Sequence, residues 1–321
     1  MSAFLSDSLS EAIATWKRGG LVAMPTETVF GLAAPINQRE LISQIFKFKE
    51  RPLFDPLIVH ICSLEQARSC SEEWGDVEDE LARLFWPGPL TIVTPKSELI
   101  DPLITSGLET VGLRMPDHSL AIDLIKEAQS PLAAPSANKF TKTSPTQYEH
   151  VLENFPNEDI CVLKSPACVG GIESTIVRVN REKGHLEILR PGLITHEDLL
   201  QVGEKFALTV TKAETAFEEK ARVQAPGQYH IHYRPAFPLF YCEQKNFKGA
   251  GEEYDVITLS QDAALAAREL YCVMQAKLGE NKHKRIILIP DQSKDVNSKQ
   301  GEIFQSILNR LKKAGELYES K

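Results

Sequence analysis

Apolar positions along the chain alternate between two spacings, and that alternation predicts helices and strands in turn. Leu9, Ile13 and Trp16 fall at i, i+4 and i+7 and run into Gly19-Gly20, an amphipathic helix stopped by glycine. Leu21–Met24 follows as a strand. Helical spacing returns over 40–49 through Leu41, Ile42, Ile45 and Phe46. Pro52 and Pro56 then bracket an irregular loop before the continuous apolar run 57–61, a buried strand. Further strands are predicted at 90–93, 111–114, 132–134, 160–163, 175–179 and 186–189, with helices near 77–85, 120–128, 147–153 and 196–202. The alternation argues for an α/β domain of about two hundred residues.

Past residue 209 the pattern changes. The stretch 212–220 is charged, and 224–238 is rich in Pro, His and Tyr with little periodicity. Beyond it a strand at 254–259, a helix at 263–278, a strand at 285–290 and a helix at 303–314 make a βαβα unit. The chain therefore divides into a domain over 1–209, a linker over 210–238 and a small α/β domain over 239–321. Pro226 and Pro235 restrict the linker while Tyr229, His232 and Tyr233 give it amphipathic side chains, so we expect a lid over the first domain rather than a passive tether.

Composition narrows the classes. With 321 residues, 42% hydrophobic and 25% charged, the chain is a soluble protein able to bury a sizeable core. Its 36 Lys+Arg against 44 Asp+Glu give −8, so no global positive field holds a nucleic-acid backbone. The N-terminus lacks a basic and an apolar signal region, and no stretch reaches the ~18 apolar residues of a membrane span, so a cytoplasmic location is expected. The six cysteines contain no CxxC pair and read as reduced, mostly buried thiols.

Conventional motifs are missing: there is no GxxxxGK[ST] loop, no GxGxxG between strand and helix, and no GxSxG. His230 and His232 would share one face of a strand, but no third metal ligand is at hand. What stands out is a series of polar residues at strand ends and in Pro/Gly loops. Residues 25–32 (PTETVFGL) follow the first strand, with a threonine-rich cap as the plainer reading. Lys47, Lys49 and Arg51 sit at alternate positions and can point together at an anion, or form a solvated basic face. Arg114 ends an apolar strand, where a buried guanidinium needs a partner such as a carboxylate, whether a ligand's or a structural one. Ala134-Pro135-Ser136-Ala137-Asn138, Ser144-Pro145-Thr146 and residues 170–175 (GGIEST) offer hydroxyls, an amide and a glycine turn.

Taken jointly and in order, residues 24–32, Lys49-Glu50-Arg51-Pro52, 56–60, Trp86-Pro87-Gly88-Pro89, Leu113-Arg114-Met115-Pro116, 135–138, 144–146, 173–177 and Leu189-Arg190-Pro191-Gly192 resemble the threonylcarbamoyl-AMP synthase family, the YrdC-like enzymes. The resemblance spans about 8–204. It extends through 225–235, which is similar to the PGxxYxHYxP segment of the two-domain members. It implies a YrdC-like twisted mixed sheet with helices, followed by a small C-terminal Rossmann-like domain.

The family joins L-threonine, bicarbonate and ATP into threonylcarbamoyl-AMP and pyrophosphate, for a downstream tRNA threonylcarbamoyl transferase complex. By resemblance Lys49 and Arg51 carry the catalysis at the phosphates. Arg51, Asp55, Ser136, Asn138, Ser144, Arg190 and Tyr233 bind ATP, while Thr28, His60, Arg114, Ala134 and Ser174 bind threonine. Mg²⁺ is expected to arrive with the nucleotide, with no metal site in the protein, no membrane association and little direct tRNA binding. Asp55 stands where the family often has asparagine, Thr141 where it often has glycine, and Arg178 where it often has aspartate. An RNA-binding module using the basic face is the alternative. A carbamoyl-transferase subdomain is a third reading, but those belong to longer zinc-bearing chains, and no zinc pattern is present.

Overall fold

The computed structural model describes residues 2–212, 232–291 and 298–319. The first unit carries strands β1 (Phe4–Ser6), β2 (Leu21–Met24), β3 (Gly31–Pro35), β4 (Ile58–His60), β5 (Leu90–Pro95), β6 (Thr110–Arg114), β7 (Leu132–Ala133), β8 (Ile160–Leu163), β9 (Thr175–Asn180), β10 (His185–Arg190) and β11 (Thr209–Lys212). Interleaved with them are helices α1 (Leu9–Lys17), α2 (Arg39–Lys49), α3 (Leu64–Ser69), α4 (Asp76–Phe85), α5 (Ser119–Ala128), α6 (Tyr148–Asn154) and α7 (His196–Phe206). The strands form one mixed sheet in the order β1-β8-β2-β3-β7-β4-β6-β5-β9-β10-β11. The second unit has β12 (Leu239–Glu243), β13 (Tyr254–Thr258), β14 (Lys284–Ile289) and β15 (Glu316–Leu317), with α8 (Ala263–Gln275) and α9 (Lys299–Ala314). Its sheet runs β13-β14-β12-β15 and is parallel throughout. No helix among the described residues is long and apolar enough to cross a membrane.

Local chemistry sets the helix starts. Ser8, Ser63, Thr195, Asp262 and Ser298 each accept a backbone N–H three residues on, satisfying a donor that has no partner within the helix. Helix α8 ends three residues before the expected 278, because the buried Arg285 guanidinium donates to the Ala276 and Lys277 carbonyls at 2.9 and 3.0 Å and closes the helix there.

Several elements escape the hydrophobic pattern. Strand β3 reads Gly-Leu-Ala-Ala-Pro, poor in β-formers and buried at every position, so it shows neither alternation nor propensity. Strands β1 and β15 and helix α3 are too short to show a period, and β12 follows directly on the Pro-rich stretch. Most of the expected linker, residues 213–231 and Tyr229 among them, lies outside the described residues, and with it the lid.

The second unit docks through both of its helices. One apolar cluster joins Ala266, Ala267, Leu270 and Tyr271 of α8 and Ile307 and Leu311 of α9 to Val29 and Ile172 of the first unit. At the contact Gly171 has φ +72°, and a Cβ there would lie 2.3 Å from the Ala267 carbonyl oxygen and the Arg268 Cα. Both conformation and space require glycine. Gly171→Ala is expected to cost about 2 kcal/mol or more through strain and the displaced helix. Thermal unfolding tests this, and an unchanged Tm refutes it.

Candidate active site

The register of the first sheet builds the pocket. Ile58 and His60 are two apart on β4 and share one face, and the pairing sets Arg114 of β6 directly beside His60. Around them lie Thr26, Val29, Gly31, Arg51, Ala134, Pro135, Ser136, Glu173, Ser174, Arg190, His232 and Tyr233, enclosing about 570 Å³ with the open mouth included.

Arg114 is 3% exposed. Its Nη2 lies 2.7 Å from Glu27 Oε1 and donates to Thr28 Oγ1 at 2.8 Å, and its Nε donates to the Gly88 carbonyl at 3.3 Å. Thr26 Oγ1 accepts from the backbone of Thr28 and Val29 and fixes the turn that carries Glu27. His60 is buried beside this pair, and its Nδ1 finds no protein partner. Burial, and then the neighbouring Arg114 charge, push its pKa down to about 3, so the imidazole is neutral.

The basic cluster 47–51 comes apart. Helix α2 runs through Lys49, so alternate positions point apart. Lys47 is exposed, Lys49 is buried, and Arg51 lines the pocket. The cluster therefore presents no shared basic face, and the RNA-binding alternative loses its surface. Lys49 Nζ donates to the carbonyls of Ser136 and Asn138 and pins the 135–138 turn from behind. Burial, and then Arg51, push its pKa well below the usual lysine range. Arg51 pairs with the fully buried Asp55 at 2.7 Å and donates to the Asp55 and Pro56 carbonyls. Arg190 Nε and Nη2 donate to the Ser174 carbonyl and hydroxyl, both at 3.0 Å.

The structure thus brings Arg51, His60, Arg114, Ala134, Ser136, Ser174, Arg190 and Tyr233 to one wall. Thr28, Lys49, Asp55, Asn138 and Ser144 sit in the layer behind it. The Asn138 amide holds the Lys139 and Lys142 carbonyls, and Ser144 Oγ donates to Glu173 at 2.7 Å. His232 is buried with Nδ1 unpartnered, and burial pushes its pKa to about 3 as well. Tyr233 stacks on Tyr271 with ring centroids 5.7 Å apart.

Glu27, Glu173, Tyr271 and Arg310 escaped the sequence reading. Glu173 lies within the GGIEST turn, where the hydroxyls drew attention instead. The signal for Arg310 was present: Ile303, Ile307 and Ala314 put it on the apolar stripe of α9, where a cation needs a buried partner. Burial would raise the Glu173 pKa, but Arg310, Arg190 and the Ser144 hydroxyl outweigh it and hold it at about 2.

The family model described as Telomere recombination, for the Sua5, YciO and YrdC proteins, matches residues 14–192, and that described as Threonylcarbamoyl-AMP synthase, C-terminal domain, matches residues 194–315. The chain is 38% identical over 246 residues to threonylcarbamoyl-AMP synthase of Pyrococcus abyssi, covering 74% of this chain and 71% of that one. It is 33% identical over 267 residues to the Bacillus subtilis protein of the same name, covering 80% and 75%. The crystal structure of P. abyssi Sua5 complexed with L-threonine superposes with a TM-score of 0.80 at 28% identity, over 99% of each chain.

Proposed function

The chain belongs to the threonylcarbamoyl-AMP synthase family, and from that premise we infer that it joins L-threonine, bicarbonate and ATP into threonylcarbamoyl-AMP and pyrophosphate. The product serves tRNA modification. One observation carries the assignment to this pocket: in a chain of net charge −8, Arg51, Arg114 and Arg190 line a single cavity with the neutral His60, whose Nδ1 has no protein partner. That wall suits an amino-acid carboxylate and a polyphosphate together.

Arg114 takes the threonine carboxylate and His60 a polar group of the same substrate, with Ala134 and Ser174 beside them and Thr28 orienting the guanidinium. Arg51, Ser136, Arg190 and Tyr233 take ATP, and Lys49, Asp55, Asn138 and Ser144 shape that wall from the layer behind. The threonine carbamate is short-lived in water, so it must form beside the α-phosphate with solvent excluded. Its oxygen attacks the α-phosphorus and pyrophosphate leaves, while cationic side chains stabilise the charge that develops. Mg²⁺ arriving with the nucleotide would shield the charge on the leaving pyrophosphate.

The test is pyrophosphate release from ATP, which must require both threonine and bicarbonate. Release that ignores either substrate refutes the assignment. Within the same assay Arg114→Ala, made together with Glu27→Gln so that no carboxylate is stranded, is expected to raise the KM for threonine about 30-fold, roughly 2 kcal/mol. The KM for ATP should stay within about threefold, and equal effects on both substrates would make Arg114 a structural residue.

A further inference from the structure

Glu173 is a carboxylate in the wall of a pocket read here as a polyphosphate site, and three side-chain donors converge on it. Its Oε1 accepts from Ser144 Oγ at 2.7 Å and its Oε2 from Arg310 Nε at 2.8 Å, while the single Tyr271 hydroxyl proton is shared between them, with Oη 3.0 and 2.9 Å away. Two of these partners, Tyr271 and Arg310, come from the second unit. Arg310 is 1% exposed and reaches further, from Nη2 to the Glu173 carbonyl and from Nη1 to the Pro191 carbonyl, both at 3.3 Å. One guanidinium therefore ties together the segment before β9, which carries Ser174, and Pro191, which directly follows Arg190 at the end of β10.

We propose that Arg310 is a positioning residue for ATP: it neutralises Glu173 from the second unit, so that Arg190 serves the phosphates instead of the carboxylate. The proposal rests on the reading of this pocket as the nucleotide site. With Arg310 removed, Arg190 and Lys313 still act on Glu173. Arg190 lines the pocket. Either Arg190 is drawn toward Glu173 and away from the triphosphate, or the triphosphate faces an uncompensated carboxylate, and each outcome weakens ATP. Threonine keeps Arg114 and His60 and loses at most the orientation of Ser174, so it is affected far less. The second unit is then a required half of the nucleotide site, although Glu173 touches no reacting atom.

The experiment compares Arg310→Met with Arg310→Met/Glu173→Gln, measuring KM for each substrate by threonine-dependent pyrophosphate release. Wild-type release, run alongside, tests the underlying assignment separately. Arg310→Met is expected to raise the KM for ATP about tenfold or more with the KM for threonine within about threefold, and adding Glu173→Gln should bring ATP back to within about threefold of wild type. A scaffold role predicts otherwise, because a second substitution in the same buried cluster would deepen the defect. If the double variant is as weak for ATP as Arg310→Met, or if both KM values rise together, the proposal is overturned. If Arg310→Met is insoluble, Glu173→Gln and the double variant decide: near-native KM for ATP in both supports the mechanism, and a large rise in either overturns it.

Discussion

Arg51→Ala is expected to lower kcat/KM for ATP about 10²–10³-fold and, separately, to remove about 3–5 kcal/mol of folding stability. The two losses have different origins. Arg51 lines the pocket, where on the proposed reading it meets the charge that grows on the departing pyrophosphate. It also lies 2.7 Å from Asp55, whose side chain is 0% exposed. Burial already pushes the Asp55 pKa up, with Arg51 acting against that push. Removing the guanidinium strands a carboxylate that must either stay charged in the interior or take up a proton. Asp55→Asn in the same chain removes that penalty without restoring a cation. The double variant should therefore regain most of the lost stability in urea unfolding while pyrophosphate release stays low. Recovery of both would reduce Arg51 to a structural partner of Asp55.

Acid should destabilise the protein well above the range where its carboxylates titrate. His60 and His232 are both neutral in the fold, with pKa values near 3, while the unfolded chain binds a proton on each near pH 6.5. Both folded values are depressed, so the stability they contribute is present above about pH 6.5 and is lost as pH falls toward 3. Between pH 7 and 5 the loss is roughly 2 kcal/mol for each histidine. His118 and His150 shift the same way by burial and add to the slope, while Asp55, shifted upward, works against it. Glu173 enters only at lower pH. Urea unfolding at pH 7, 6 and 5 should show His60→Gln losing about 2 kcal/mol less than wild type over this span. Equal losses in the two chains would mean that His60 takes up a proton without opening the pocket.

Where a strand is buried on both faces it announces itself: the run at 57–61 reads correctly as β4 because burial leaves a continuous hydrophobic stretch, whereas β6 reads through the alternation that buries Val111 and Leu113. Strand β3 is also buried throughout, yet Gly, Ala and Pro carry too little hydrophobicity and too little β-propensity to mark it. The same contrast divides the site. Arg114 is legible as a lone cation on an apolar strand, and its partner need was read from the sequence. Glu27, which supplies that partner, sits in a loop where a carboxylate reads as surface. Lys47, Lys49 and Arg51 misled for a geometric reason, since spacing two apart gathers side chains on a strand and scatters them on a helix. Tyr271 and Arg310 acquire their meaning only through docking, 98 and 137 residues from Glu173 in sequence, distances no local pattern spans.

The order of strands in the first sheet also governs how the chain leaves the ribosome. Phe4 of β1 pairs with Cys161 of β8, and Leu21 of β2 with Ile160 of the same strand. At synthesis rates of roughly 5–20 residues per second, the partner of Phe4 emerges some 8 to 30 s after Phe4 itself. Until then β2, with every residue destined for burial, has only β3 on one side and an open hydrogen-bonding edge on the other. That edge is a template for another nascent chain as much as for β8. Translation speed across codons 25–160 therefore sets how long each new molecule remains sticky, and slow decoding in that window favours aggregation during expression.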